Sequence, residues 1–143
     1  MITPCTNPAT LNFLINHKEI RPNLGFGDCW LDATDWLFKK GTHFFTANAG
    51  GLLFLEKSYQ IFTVDVYFLP HKRGAPARQA TKNAFNHMFF TVGATRLECQ
   101  ALSTNAASRH FIGSLGFKRT GNQDGEFVRY ELERETWQKL QQQ

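Results

Sequence analysis

Residues 71–78 read His-Lys-Arg-Gly-Ala-Pro-Ala-Arg, a basic run and a glycine placed just before a segment with helical spacing, with Lys82 one turn farther on. A helix N-terminus presents unpaired N–H groups at the positive end of its dipole, and flanking Lys and Arg add charge. Arg73, Gly74, Ala75, Ala77 and Arg78 therefore outline an anion site suited to a pyrophosphate. Taken alone, the same residues also make a solvated basic turn. The second constellation is Asn-Ala-Ala-Ser-Arg-His-Phe-Ile-Gly-Ser-Leu-Gly-Phe at positions 105–117. Asn105 can cap a helix or bond the amides of a ligand, Phe111 and Leu115 share a helix face at i and i+4, and Gly116 provides the backbone freedom of a helix stop. Its plainer alternative is a well-capped helix.

Both groups need elements to position them. The chain has 143 residues, 42% of them hydrophobic and 20% charged, with 14 Phe against 3 Tyr and 3 Trp. That suffices for one folded domain, 1–143, and leaves no room for separate cofactor and substrate domains. Sixteen Lys and Arg against twelve Asp and Glu give a net charge of +4, which suits a phosphate-bearing partner without demanding one. Cys5, Cys29 and Cys99 form no C-x-x-C pair, so neither a disulfide framework nor a metal site is expected, and a reducing compartment is implied. The N-terminus lacks the basic start of a signal peptide, and no apolar run approaches the ~20 residues of a membrane span, so the expectation is a soluble, intracellular chain.

The spacing predicts a short strand at 2–6, a helix from Asn7-Pro8 to about 17, a loop over 17–28 containing Pro22, Gly25 and Gly27, and a short helix at 32–39. Period-two runs then follow at 43–48, 52–56 and 61–69, an antiparallel meander that Pro70 ends. Ala77, Ala80, Ala84, Phe85, Met88 and Phe89 mark the next helix. A strand at 96–102, a helix at 105–115 and a hairpin of 116–120 with 126–132 around Gly-Asn-Gln-Asp-Gly complete the order, with residues 141–143 as a loose tail.

With these two motifs in this order, the chain resembles the GCN5-related N-acetyltransferase (GNAT) superfamily over about 42–132. In that family a strand leads into an Arg/Gln-x-x-Gly-x-Gly/Ala loop that wraps the pyrophosphate of acetyl-CoA, and an Asn-containing helix follows the next strand and closes on Gly-Phe. The resemblance implies an α/β (α+β) single domain with a mixed, mostly antiparallel central sheet flanked by helices. It also implies acetyl-CoA held at the strand end by Phe68 and Leu69, in the loop by Arg73, Gly74, Ala75, Ala77 and Arg78, and on the following helix by Asn105, Ser108 and Phe111. Two departures stand out. The two family glycines fall on Pro76, which has no N–H, and on Arg78, which adds bulk, although a one-residue shift of register would change that pairing. The family's proton-donating Tyr falls on Ile112, which has no proton to give, and neither Ser108 nor His110 is an obvious substitute.

The same resemblance calls for a general base on the central strand or its neighbour. Alternation along 61–69 sets Thr63, Asp65 and Tyr67 on one face and Phe62, Val64, Val66 and Phe68 on the other, which makes Asp65 the first choice. Glu98 shares a face with Gln100 on the next strand and could take a proton from an amine or bind a cationic substrate. Both carboxylates are equally readable as ordinary polar residues on half-buried strands.

Residues 6–17, 31–37 and 67–74 look like the small GNAT-like head-assembly proteins of short-tailed bacteriophages. That narrower resemblance implies a virion or head-assembly factor with a weak or degenerate acyl-CoA site, working in the host cytoplasm or the virion. Its partners would be phage structural or internal virion proteins, with self-association as a further expectation. The alternative is an active acetyl-CoA-dependent N-acyltransferase acting on an amine of a protein or small molecule. Nucleic-acid binding through Arg73, Arg78 and Lys82 is disfavoured, since no base-stacking or groove-reading motif accompanies those charges.

Overall fold

The computed structural model describes residues 1–24, 27, 29–48, 50–69 and 73–142, with backbone only at 121–124. Local chemistry sets the first elements. Asn7 Oδ1 accepts the Ala9 N–H at 2.9 Å, and Pro8 stands at the first helical position, so α1 begins there and runs Pro8–Ile15. Before it lies β1, Thr3–Pro4; after it come a 3₁₀ turn at Arg21–Asn23 and α2, Thr34–Leu37. The predicted helix at 32–39 is shorter because Asp32 serves as a cap-like acceptor, bonded by the Thr34 N–H at 3.0 Å, and because Gly41 (φ +83°) follows the turn.

Among the described residues, seven strands form one sheet in the order β1-β2-β3-β4-β5-β7-β6, with β2 His43–Ala47, β3 Gly50–Ser58, β4 Ile61–Phe68, β5 Arg96–Leu102, β6 Lys118–Asp124 and β7 Phe127–Glu133. Every neighbouring pair is antiparallel except β4 with β5. The parallel pair is joined by α3, Ala75–His87, and a π-helical turn at Met88–Val92. Helix α4, Ala106–Ser114, links β5 to β6, and α5, Arg134–Gln141, closes the chain. This is the mixed, mostly antiparallel sheet with flanking helices that the sequence resemblance implied.

Two elements differ from expectation. The residues expected to turn the last hairpin, 121–124, extend β6 instead, and the reversal is confined to Gly125 and Glu126, with Asp124 opposite Phe127. Gly125 at φ +59° provides the left-handed backbone that so short a turn requires. No element was expected over 134–140, yet α5 stands there because Trp137 carries it into the core; of the tail expected to be loose, Gln141 ends that helix and Gln142 caps it.

The sheet separates two apolar layers. On one face Phe54, Phe62, Phe85, Phe89, Leu97 and Trp137 pack together beneath α3, α4 and α5. Phe85 meets the Trp137 ring edge-on at 5.4 Å, and the Trp137 Nε1–H donates to Asn86 Oδ1 at 2.8 Å, which satisfies the buried indole. On the other face Leu11, Leu14, Ile15, Ile20, Phe44, Leu53 and Tyr67 pack beneath α1 and the 3₁₀ turn. Full burial of each such aliphatic chain contributes about 1.5–3 kcal/mol, so the N-terminal helix is a layer of the fold rather than an appendage. Among the described residues, no helix is long and apolar enough to cross a membrane.

Candidate active site

The parallel contact in the sheet is also its weak point. β4 and β5 pair at Ile61 with Arg96, Phe62 with Leu97 and Thr63 with Glu98, and among the described residues no pairing follows, although β4 continues to Phe68 and β5 to Leu102. Beyond Thr63 the backbone groups of β4 that turn toward β5 have no described strand to bond. A cavity of about 320 Å³ occupies this split. From β4 it is lined by Val64, Asp65, Val66 and Phe68; from β5 by Cys99, Gln100 and Ala101. Ile20, Asn23 and Leu24 of the N-terminal turn cover one side, and Phe111 and Ile112 of α4 the other.

At one end of the cavity stands the start of α3, lined by Arg73, Gly74 and Ala77. Gly74 caps the helix at φ +113°, and a Cβ added there would meet nothing within 4 Å, so the glycine is needed for its backbone conformation and not for space. The first intrahelical bond is made by the Arg78 N–H to the Gly74 carbonyl at 2.9 Å. The N–H groups of Ala75 and Ala77 precede it and are left to bind an anion, while Pro76 has none to offer. Arg73 commits its Nε–H to the Phe68 carbonyl at 3.3 Å and keeps its terminal nitrogens for a ligand. A strand split, a free helix N-terminus and one adjacent guanidinium fit the phosphate and amide groups of a CoA thioester, with one donor fewer than a non-proline residue at position 76 would give.

Arg78 does not share this cradle. Its guanidinium reaches across to the end of α4, donating to Ser114 Oγ at 2.7 Å and to the Ser114 carbonyl at 2.9 Å. His71 and Lys72, and Pro70 at the expected strand end, lie outside the described residues. Asn105 Oδ1 accepts the Ser108 N–H at 3.1 Å, so its side chain caps α4 while Asn105, Ser108 and Phe111 all line the cavity. Of the strand-end pair, Phe68 lines the cavity, whereas Leu69 packs with the N-terminal apolar layer.

The two carboxylates have different fates. Asp65 faces the cavity, half-buried, with Leu53 opposite it on β3. Burial raises its carboxyl above the ordinary range, and a hydrogen bond from the Tyr67 hydroxyl to Oδ2, at 3.2 Å, acts in the opposite sense. Glu98 is opposite Thr63, where the strands still pair, and lines no part of the cavity. Its partial burial would raise it, but the bonds and charges of Lys57 (2.7 Å) and Arg96 (2.9 Å) outweigh that and hold it below the ordinary range. A base must be free to accept a proton; of the two, Asp65 has both the position and the proton affinity.

Several lining residues are not evident from sequence. Cys99 faces the cavity beside Asp65, and its thiol is pushed well up, by burial and then by the Asp65 charge, so it stays protonated. Gln100 falls on the Asp65 face because the parallel register places Glu98 beside Thr63; that register is the signal that would have located it. Ile20, Asn23 and Leu24 carry no local signature, since they reach the cavity only through packing of the 3₁₀ turn. Ile112 stands where the resemblance expects a tyrosine, and it lines the cavity as an apolar wall.

No protein-family model matches the chain, and no curated protein matches it by sequence. Solved structures do. A spermidine N-acetyltransferase from Vibrio cholerae, in complex with CoA and spermine, is similar with a TM-score of 0.78 at 13% identity, over 96% of this chain and 97% of that one. A domain from Methanocaldococcus jannaschii gives a TM-score of 0.77 at 15% identity, over 93% and 97%. A candidate acetyltransferase from T. thermophilus gives 0.73 at 18% identity, over 99% and 89%. At these identities the likeness is one of fold, and the fold is that of the GNAT acetyltransferases.

Proposed function

We propose that the chain is an acyl-CoA-dependent N-acyltransferase. The observation that carries this is the β4–β5 split, which opens a cavity with a helix N-terminus at one end and a half-buried carboxylate, Asp65, in its wall. Acetyl-CoA, when bound, supplies a thioester carbonyl to be attacked. The N–H groups of Ala75 and Ala77 and the guanidinium of Arg73 hold its phosphates, and the unpaired backbone of β4 orients its amide-bearing arm. Apolar Phe68, Phe111 and Ile112 exclude water, so that the thioester meets an amine rather than hydroxide. Asp65 takes the proton from the incoming ammonium. As the amine's N–C bond forms, the thioester C–S bond breaks, the sulfur leaving with that electron pair and the amine's excess proton passing to it or to water. With Ile112 in place of a hydroxyl and Cys99 held as a thiol, Asp65 is the carboxylate in the described cavity wall and the group there suited to accept a proton.

Thermal unfolding with and without acetyl-CoA tests this first. A ligand at 100 times its dissociation constant adds about 2.7 kcal/mol, which is a rise of several degrees for a chain of this size. An unchanged midpoint at millimolar acetyl-CoA rejects the proposal. A transferase assay with labelled acetyl-CoA over a panel of primary amines then defines the acceptor.

Head assembly is the second reading, with virion proteins or a second copy of the chain as partners and the host cytoplasm or the virion as its place. Three exposed aromatics support it: Phe13, Trp30 and Phe38, at 63%, 67% and 66% exposure, in or beside the N-terminal segments that resemble phage assembly proteins. Purified particles that contain the protein, or particles left defective by its deletion, would support it; intact particles without it would not.

A further inference from the structure

Tyr67 has no part in the cavity wall, yet it is tied to a carboxylate that does. Asp65 and Tyr67 are two residues apart on β4 and so project from the same face. The Tyr67 ring is 1% exposed within the N-terminal apolar layer, and its hydroxyl donates to Asp65 Oδ2 at 3.2 Å. Opposite it on β3 is Gly51, whose missing side chain leaves the space that Leu14 and Phe44 fill beside the ring. The ring is thus held by packing, and its hydroxyl can hardly leave Asp65 without leaving its one hydrogen-bond partner among the described residues.

Resting on the acyltransferase reading, we infer that Tyr67 is a positioning residue: it engages Oδ2 of Asp65 and leaves Oδ1 to take the proton of the acceptor amine. In that step the ammonium N–H bond breaks, its electron pair stays on nitrogen, and an O–H bond forms at Asp65 Oδ1. Burial favours the protonated form of the carboxyl and so works against its use as a base. The Tyr67 hydroxyl stabilises the charged form without competing for the substrate. Its burial and the neighbouring Asp65 charge keep the phenol itself far above its ordinary range, so it remains a donor throughout.

The other groups around Asp65 do not duplicate this role. On β5, Cys99 lines the same cavity as a neutral thiol, and Gln100 has no charge. On β3 its neighbour is Leu53, and from the 3₁₀ turn come Ile20, Asn23 and Leu24. From α4, Asn105 and Ser108 are uncharged, and Arg73, the charged residue at the α3 end, is bonded to the Phe68 carbonyl.

The test is the titration of Asp65 followed by ¹³C NMR in protein labelled at aspartate carboxyls, with the resonance assigned by its loss in Asp65→Asn. Tyr67→Phe should move the Asp65 midpoint up by about one pH unit, and the acid limb of acetyl transfer should move with it. Replacing the chain's three tyrosines by 3-fluorotyrosine, a nearly isosteric and stronger donor, should move both down, and it keeps the test available if Tyr67→Phe fails to fold. An unmoved midpoint in the fluorinated protein, or a uniform loss of activity with no shift of the limb, overturns the assignment. The NMR titration needs no turnover, so failure of acetyl-CoA to stabilise the protein would reject the acyltransferase reading separately.

Discussion

Arg78 and Ser114 join the first turn of α3 to the last residue of α4, through 2.7 Å and 2.9 Å bonds from one guanidinium to the serine hydroxyl and carbonyl. A cation at a helix C-terminus is favoured by the dipole and by the unpaired carbonyls there, so the residue that sequence spacing aims at a phosphate finds an internal anionic end instead. The cavity mouth is consequently served by Arg73. Arg78→Ala should cost about 1 kcal/mol or less, because the pair is exposed, and leave acetyl-CoA affinity within about threefold. Arg73→Ala should weaken that affinity about tenfold. Calorimetric titration of both variants decides between the two arginines.

Pro76 takes one N–H from the cradle. Pro76→Ala restores a donor beside those of Ala75 and Ala77 and should tighten acetyl-CoA binding by about threefold to tenfold. The same change frees the unfolded chain and should lower stability by about 0.4–1 kcal/mol. Tighter binding in a less stable protein is the signature, read from calorimetry and denaturant unfolding together.

Asp65 links stability to pH. Because its carboxyl is raised by burial, the folded protein holds a proton that the unfolded chain, near its ordinary value of 3.8, has already released. Its contribution to stability is therefore fully present below that value and is lost as pH rises through the elevated folded one. Asp65→Asn should flatten this dependence and melt higher than the natural protein at pH 8, while acyl transfer falls by about 10²–10⁴. Equal melting at pH 8 would show that the carboxylate carries no burial cost.

Glu98 has the opposite sign. Its lowered carboxyl contributes stability above the ordinary value of 4.5 and loses it as pH falls through the depressed one. Lys57 is half exposed, so the screened network is worth about 1 kcal/mol or less. Glu98→Gln should show that small loss at neutral pH and change kcat by less than about twofold, against the large loss at Asp65.

Trp137 anchors α5. Fully buried against Phe85 and Phe89 and bonded to Asn86, it should cost about 3–5 kcal/mol when replaced by Ala, enough to unfold a marginal domain. Trp137→Phe should cost less, since it loses mainly the indole bond. Urea unfolding of both measures the difference.

Most of the fold was legible because its determinants are local. Asn7-Pro8 and Asn105 cap their helices where the sequence places them, and period-two runs over 43–69 become β2 to β4 because alternation is the geometry of a strand. The candidate base Asp65 followed from the same alternation, which fixes a face. What alternation cannot fix is a neighbour. That Glu98 is used up by Lys57 and Arg96, that Arg78 turns to Ser114, and that Cys99 lines the same cavity as Asp65 all depend on which strands pair and where the pairing stops. The Lys57–Glu98 and Arg78–Ser114 contacts join residues 41 and 36 apart in the chain, Cys99 shares the cavity with Asp65 across the split, and no local preference encodes them. The sequence by itself determined the elements, the faces and the residues able to do chemistry; the tertiary structure decided which of them share a cavity, because burial and charge act through space and not along the chain.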